Sequence, residues 1–158
     1  MQELCQIRPF HESDQVFLLE VSKRFAQFPL MNWRTKERME QANYHLAEQA
    51  TINLNVDNEI YLAVDTTGKR LGYLHIRKQK EFFTQLDQAF ILSLVVIEEA
   101  QGKGIAQKLM KFAEDWARKR GLEQICLNVF RSNDRAYDLY RYLGYEVETV
   151  KMVKELSE

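Results

Sequence analysis

The sequence has little of what stabilises small folds covalently or through metals. It holds two cysteines, Cys5 and Cys126, far apart and without metal or redox spacing, which excludes a disulfide scaffold or a zinc ribbon. Reduced thiols in the cytoplasm are the expectation. Its three histidines, His11, His45 and His75, have no ligand spacing, so no metal is expected. No apolar run approaches the ~18 residues of a membrane span, and the opening M-Q-E-L-C-Q-I-R lacks the apolar core of a leader. Charge of one sign is missing too: 22 basic residues stand against 23 acidic ones, which argues against nucleic acid or an acidic membrane as partner. There are two prolines, no repeats and no low-complexity linker. With 46% of 158 residues hydrophobic, one sizeable core can form, so a single domain over 1–158 is expected.

Glycine is scarce as well, yet two of the six glycines stand one residue apart. The stretch Phe90–Ile97 reads F-I-L-S-L-V-V-I, a strand buried on both faces. After Glu98-Glu99-Ala100 comes Q-G-K-G-I-A, opening a helix whose apolar stripe is Ile105, Leu109, Phe112, Ala113 and Trp116. Bare backbone at a helix start presents unpaired N–H groups and the positive end of the helix dipole to an anion. The turn is therefore a candidate phosphate site.

The rest of the chain reads in order around it. Leu4–Arg8 is a short strand stopped by Pro9. Ser13 and Asp14 are candidate caps for a helix carrying Phe17, Leu18, Val21, Phe25 and Phe28, and Thr35 is a candidate cap for a second helix. Trp33, in the connection between them, reads as a core residue or as part of a substrate mouth. Ile60–Val64 and Leu71–Arg77 predict a hairpin around Asp65–Lys69. In its second strand Leu71, Tyr73, His75 and Arg77 share a side opposite Leu74 and Ile76; a satisfied or exposed His75 is preferred over one facing a cleft. Residues 78–88 read as a polar connection, Ile125–Phe130 as a strand, and Ala136, Leu139, Tyr140 and Leu143 as one face of a short helix stopped by Gly144. Tyr145–Leu156 alternates weakly and is the last strand material. The helix between strands 90–97 and 125–130 implies a parallel right-handed crossover. The sheet is thus mixed and mostly antiparallel, an α/β (α+β) fold with helices flanking it.

Three kinds of glycine turn compete for the phosphate. A Walker loop requires G-x-x-x-x-G-K followed by Ser or Thr, which is absent. A dinucleotide fingerprint requires a third Gly or Ala where Gln107 stands, and its acidic partner, Glu123, precedes the next strand instead of ending it. Gln101-x-x-Gly104-x-Ala106 instead resembles the Q/R-x-x-G-x-G/A signature of the GNAT superfamily of acyl-CoA-dependent N-acetyltransferases. Downstream, N-V-F-R-S-N-D-R-A-Y-D-L-Y-R-Y-L-G-Y is similar to the family's strand and N-x-x-A-x-x-x-Y-x-x-x-G-F/Y helix, with Asn133, Ala136, Tyr140, Gly144 and Tyr145 in register. The likeness is densest from 90 to 145.

That resemblance implies a fold in which strands 90–97 and 125–130 splay apart and acetyl-CoA enters the gap as cosubstrate. By the same resemblance, Gln101, Gly102, Lys103, Gly104, Ile105 and Ala106 hold the pyrophosphate, with Lys103 and Lys108 as nearby cations. Leu94, Val95 and Val96 pair with the pantetheine arm, and the N–H of Val96 or Leu94 polarises the thioester carbonyl. Asn133 caps the last helix or bonds CoA, and Tyr140 hands a proton to the departing thiolate. Some relatives carry a glutamate as base where Asn128 stands, so Glu81, Asp87, Glu98 or a water relay are the remaining routes. The implied activity is N-acetyl transfer from acetyl-CoA to a primary amine, directly in a ternary complex, since neither cysteine has a partnered histidine. A small-molecule amine is favoured over a peptide amine, and Phe28, Trp33, Phe82 and Phe83 suggest a partly apolar acceptor. A non-catalytic acyl-CoA-binding or regulatory module is the alternative. Only about a dozen residues follow Gly144, where many relatives have a hairpin, so the sheet edge is either short or completed by a second copy in a homodimer.

Overall fold

The computed structural model describes residues 5–157. A short strand, β1 (Gln6–Pro9), leads through a 3-10 turn at Glu12–Asp14 into α1 (Gln15–Val21), a second 3-10 segment (Ser22–Ala26) and α2 (Lys36–Ala50). Three strands follow, β2 (Asn58–Val64), β3 (Arg70–Lys80) and β4 (Asp87–Val96), then α3 (Ile105–Lys119), β5 (Ile125–Leu127) and α4 (Asp134–Tyr142). The sheet has the order β1-β2-β3-β4-β5 and is antiparallel except for the parallel pair β4–β5. The mixed α/β architecture expected from the sequence is the one observed.

Both faces of the sheet are covered. On one, Leu109, Met110, Ala113 and Trp116 of α3 bury against Ala63, Leu74, Ile76, Ala89 and Ile91. On the other, Leu18 and Val21 of α1 meet Ile60, Leu62, Tyr73 and Val95. Leu109 and Leu18 have no solvent exposure, so truncating either to alanine costs about 3 kcal/mol through lost transfer energy and a cavity. Thr35 caps α2 as expected, its hydroxyl accepting from the Arg38 N–H at 3.3 Å.

Several local expectations are corrected. Leu4 lies outside the described residues, and β1 runs through Pro9, which an edge strand tolerates because its missing N–H costs no ladder bond. Leu71 packs with Leu74 and Ile76 and not with Tyr73, because it is the extra residue of a bulge between the pairs Ala63–Gly72 and Val64–Arg70. Residues 78–80 and 87–88 belong to the ladder: β3 and β4 pair out to Lys80–Asp87, confining the loop to 81–86. Cross-strand ion pairs from Lys78 and Lys80 to Asp87, at 4.0 and 3.6 Å, accompany that polar end of the hairpin. Residues 128–130 are not strand, and none forms over 145–157. In that last segment Val150, Met152 and Leu156 face solvent, so their alternation has no buried face to serve.

Candidate active site

The sheet opens where the site is built. β4 and β5 pair only over Ala89–Ile91 and Ile125–Leu127. β3 keeps hold of the other edge of β4 as far as Val96, with Leu92 unpaired in a bulge between His75–Ser93 and Ile76–Ile91. The edge of β4 facing β5 is therefore free at Leu94–Val96. Gly72 makes this possible from behind: a Cβ there would lie 2.3 Å from the Val95 carbonyl oxygen, so only glycine lets β3 come so close. A cavity of about 600 Å³ fills the opening between β4, the start of α3, α4 and the segment after α1.

Gly102 and Gly104 adopt φ of 76° and 78°, left-handed values that strain any side chain. The space where their Cβ atoms would sit is open, leaving the turn bare on its outer side. No side chain caps α3, and its first helical bond runs from Lys108 N–H to the Gly104 carbonyl. The amides of Ile105, Ala106 and Gln107 are thus unspent at the helix end, which with the dipole makes an anion cradle. The Arg135 guanidinium donates to Gln101 Oε1 at 2.5 Å, tying the turn to α4.

The α4 helix supplies the other wall. Asn133 is its N-cap, accepting from the Ala136 N–H at 3.4 Å. Tyr140, two turns along, lines the cavity while packing on the α3-side core. Burial pushes its phenol up to about 12, so it is a proton donor at neutral pH. Tyr145 stands edge-on to it at 6.0 Å, its own hydroxyl buried without a hydrogen-bond partner among the described residues.

Of the residues singled out from the sequence, Leu94, Val95, Val96, Gln101, Gly102, Gly104, Ile105, Ala106, Asn133 and Tyr140 all border this one cavity. Lys103 is exposed and does not line it, and the Lys108 ammonium donates to the Cys5 carbonyl oxygen. Among the three acids considered as base, only Glu98 lines the cavity. Glu81 is spent on the N–H groups of Phe83 and Thr84 in the hairpin loop, and Asp87 on Lys78 and Lys80. Asn128 is exposed. The expected aromatic cluster does not assemble. Phe82 and Phe83 sit at the hairpin tip, 80% and 85% exposed, Trp33 is half-buried off the cavity, and only Phe28 lines it. His75 is satisfied: its Nε2–H donates to Asn58 Oδ1 at 2.7 Å, while Asn58 Nδ2 donates to the Asn53 carbonyl.

Sequence reasoning missed Arg24 and Arg135 as cavity residues. Arg135 had a signal, standing two positions after Asn133 on the first turn of a helix that faces the glycine turn. Arg24 had none. Phe28 stacks on Phe130 at 5.5 Å and Arg34 covers the Phe130 ring at 5.9 Å, so the connection after α1 closes on the segment after β5.

Comparison with known proteins gives a consistent pattern. A sequence model of the Acetyltransferase (GNAT) family matches residues 21–145. An uncharacterized N-acetyltransferase of Bacillus subtilis, YdgE, is 29% identical over 78% of this chain and 78% of its own length. A putative acetyl transferase from Pyrococcus furiosus superposes with a TM-score of 0.74 at 25% identity, covering 96% of this chain and 99% of that one. The aminoglycoside N-acetyltransferase AAC(6')-Iy in complex with CoA superposes at 0.71 with 14% identity, over 98% and 97%, a likeness of fold.

Proposed function

The chain belongs to the acetyltransferase (GNAT) family, and on that premise we propose that it moves an acetyl group from acetyl-CoA to a primary amine by direct attack in a ternary complex. What supports this reading is the meeting, in one cavity, of the bare glycine turn, the free edge of β4 and Tyr140. The donor set fits CoA: unspent amides and a helix dipole for a diphosphate, a strand edge for an amide-bearing arm. When bound, CoA supplies the acetyl thioester. The N–H groups from Gly102 to Gln107 bind the diphosphate, and the Leu94–Val96 edge orients the arm by strand-like pairing. A free backbone N–H of Leu94 or Val96 points its dipole at the thioester oxygen as negative charge develops there. Tyr140 holds a proton for the departing sulfur. Of the two carboxylates lining the cavity, Asp134 is held by Arg131 at 3.0 Å, and Glu98 is the one to take a proton from the incoming ammonium.

A single catalytic domain in the cytoplasm, acting on a small-molecule amine, completes the reading. β5 ends the sheet in this chain, and a homodimer that covers this edge is part of the proposal; a monomeric mass at micromolar concentration removes it. The test of the activity is calorimetric titration with CoA beside thiol release from acetyl-CoA over a panel of amines. Binding with turnover on at least one amine is the expected result. Binding without turnover on any amine favours a non-catalytic acyl-CoA module, and absence of binding overturns the assignment.

A further inference from the structure

Two segments that border the cavity carry no carboxylate. Residues 22–35 and 125–133 contain neither Asp nor Glu, and of their four cations, Lys23, Arg24, Arg34 and Arg131, it is Arg24 that lines the cavity. The two segments touch each other through Phe28 and Phe130, with Arg34 lying over the Phe130 ring. A cation on a wall segment without carboxylates suits an acceptor that bears negative charge.

Arg24 is the side chain placed to read that charge. It lines the cavity with its side chain only 16% exposed. Among the described residues its guanidinium makes no hydrogen bond, and its one ion pair is a loose 3.9 Å approach to Glu98 Oε2. Glu98 is itself 83% exposed, so it does little to neutralise Arg24. A mostly buried guanidinium with five donors and no close acceptor is costly unless a ligand satisfies it. Arg131, by contrast, is engaged with Asp134 at 3.0 Å, and Arg135 with Gln101.

We propose that the acceptor is an amine carrying an anionic group, a carboxylate above all, and that Arg24 binds that group from the cavity wall. Arg24 and Glu98 then present a cation and an anion side by side, the charge complement of an amino acid's carboxylate and ammonium. Phe25 and Phe28, on the same wall, give an apolar side chain a surface to rest on. The inference rests on the proposed acetyl transfer, and it deepens that reading by naming the acceptor class.

The experiment compares matched amines in the thiol-release assay, after CoA binding has been measured by calorimetry. The amines are phenylalanine, phenylalaninamide and phenethylamine, with O-phosphoethanolamine, ethanolamine and spermidine alongside. A charge-assisted contact to a buried guanidinium predicts kcat/KM for phenylalanine roughly 10- to 100-fold above phenethylamine and phenylalaninamide. Spermidine is expected to be poorer still. Arg24→Gln should erase that preference, bringing phenylalanine down to the level of phenethylamine, while leaving CoA affinity within about 3-fold. O-phosphoethanolamine outrunning both phenylalanine and ethanolamine would keep the anion requirement and identify the anion as phosphate. Equal or better turnover of phenethylamine or spermidine overturns the inference, as does weakened CoA binding in Arg24→Gln with acceptor ranking intact. If that variant does not fold, the ranking in the wild-type protein decides alone. A chain that fails to bind CoA overturns the acetyl transfer itself; one that acetylates amines without regard to charge overturns only the acceptor class.

Discussion

Arg135 donates to Gln101 across 2.5 Å, joining the first turn of α4 to the turn that opens α3. The bond ties the two walls of the cavity together at the rim of the glycine turn. Arg135 also brings a positive charge to a site proposed to hold a polyanion. Arg135→Ala is expected to weaken CoA binding about 3- to 10-fold, as the loss of one exposed charge-assisted contact does. The loss should shrink at high salt, because exposed charges are screened. Calorimetric titration at two ionic strengths checks both, and unchanged affinity at low salt would show the bond to be a bystander.

Tyr140 carries the second prediction. Replacing it by phenylalanine removes one oxygen from a group already packed on the core, so Tm should move by only a few degrees. Turnover should fall ~10²-fold, the usual weight of a general acid. Burial holds the phenol up at about 12, so its protonated fraction is constant from pH 6 to 10. Any alkaline fall in activity within that range belongs to another group. A pH profile of wild-type protein that drops with loss of a proton from Tyr140 below pH 10 would contradict the assigned environment.

Gly72 lies outside the cavity, yet it governs the strand edge inside it. Gly72→Ala puts a methyl carbon where the Val95 carbonyl oxygen stands 2.3 Å away, and backbone cannot yield as a flexible side chain does. β3 and β4 must move apart at the residues proposed to bind the pantetheine arm. We expect a loss of about 2 kcal/mol or more in urea unfolding and weaker CoA binding in whatever folds. A variant of native stability and affinity would show that the strands adjust freely here.

How much of this was legible beforehand depends on what each residue does. The turn at Gly102 and Gly104 was readable because its feature is bare backbone, and glycine is how a sequence spells bare backbone. Tyr140 was readable from its register with Asn133 and Gly144. Arg24 was not, since an arginine among helical apolar residues looks like any solvated charge, and only the fold carries it to β4. The extent of β3 was hidden for a related reason. Lys78 and Lys80 look like loop residues until Asp87 stands across from them. Tyr145–Leu156 shows the limit of alternation: a period of two marks strand material, but a strand also needs a partner edge and a face to bury. The bulges at Leu71 and Leu92 leave no trace in composition, and each reverses the face of what precedes it.

Acid should destabilise the protein over two successive ranges of pH, set by two buried groups far apart in the sequence. Asp14, with no solvent exposure, accepts from the Arg8 guanidinium at 2.8 and 2.9 Å, from Arg70 Nε at 2.6 Å and from the His11 N–H at 2.8 Å. Burial alone would raise its carboxyl, but these partners hold it well below the ordinary range. Its contribution is therefore complete above its unfolded value near 4 and is lost as pH falls below that. His75 works from the other side. Burial, with Arg77 nearby, lowers it to about 4, so the folded protein keeps it neutral while the unfolded chain protonates it near 6.5. Its contribution is complete above pH 6.5 and drains away between 6.5 and 4, roughly 3 kcal/mol over that window. Urea unfolding from pH 8 to 3.5 should therefore show stability falling below pH 6.5 through His75 and continuing to fall below 4 through Asp14. His75→Gln, which leaves a neutral amide beside Asn58, should flatten the upper part of the curve while leaving the lower intact. Asp14→Asn should cost about 2–3 kcal/mol at neutral pH, because Arg8 and Arg70 lose a buried partner but keep some solvent. It should also soften the fall below pH 4. A stability curve level from pH 7 to 4.5 in the wild-type protein would mean that His75 is not held neutral by its surroundings.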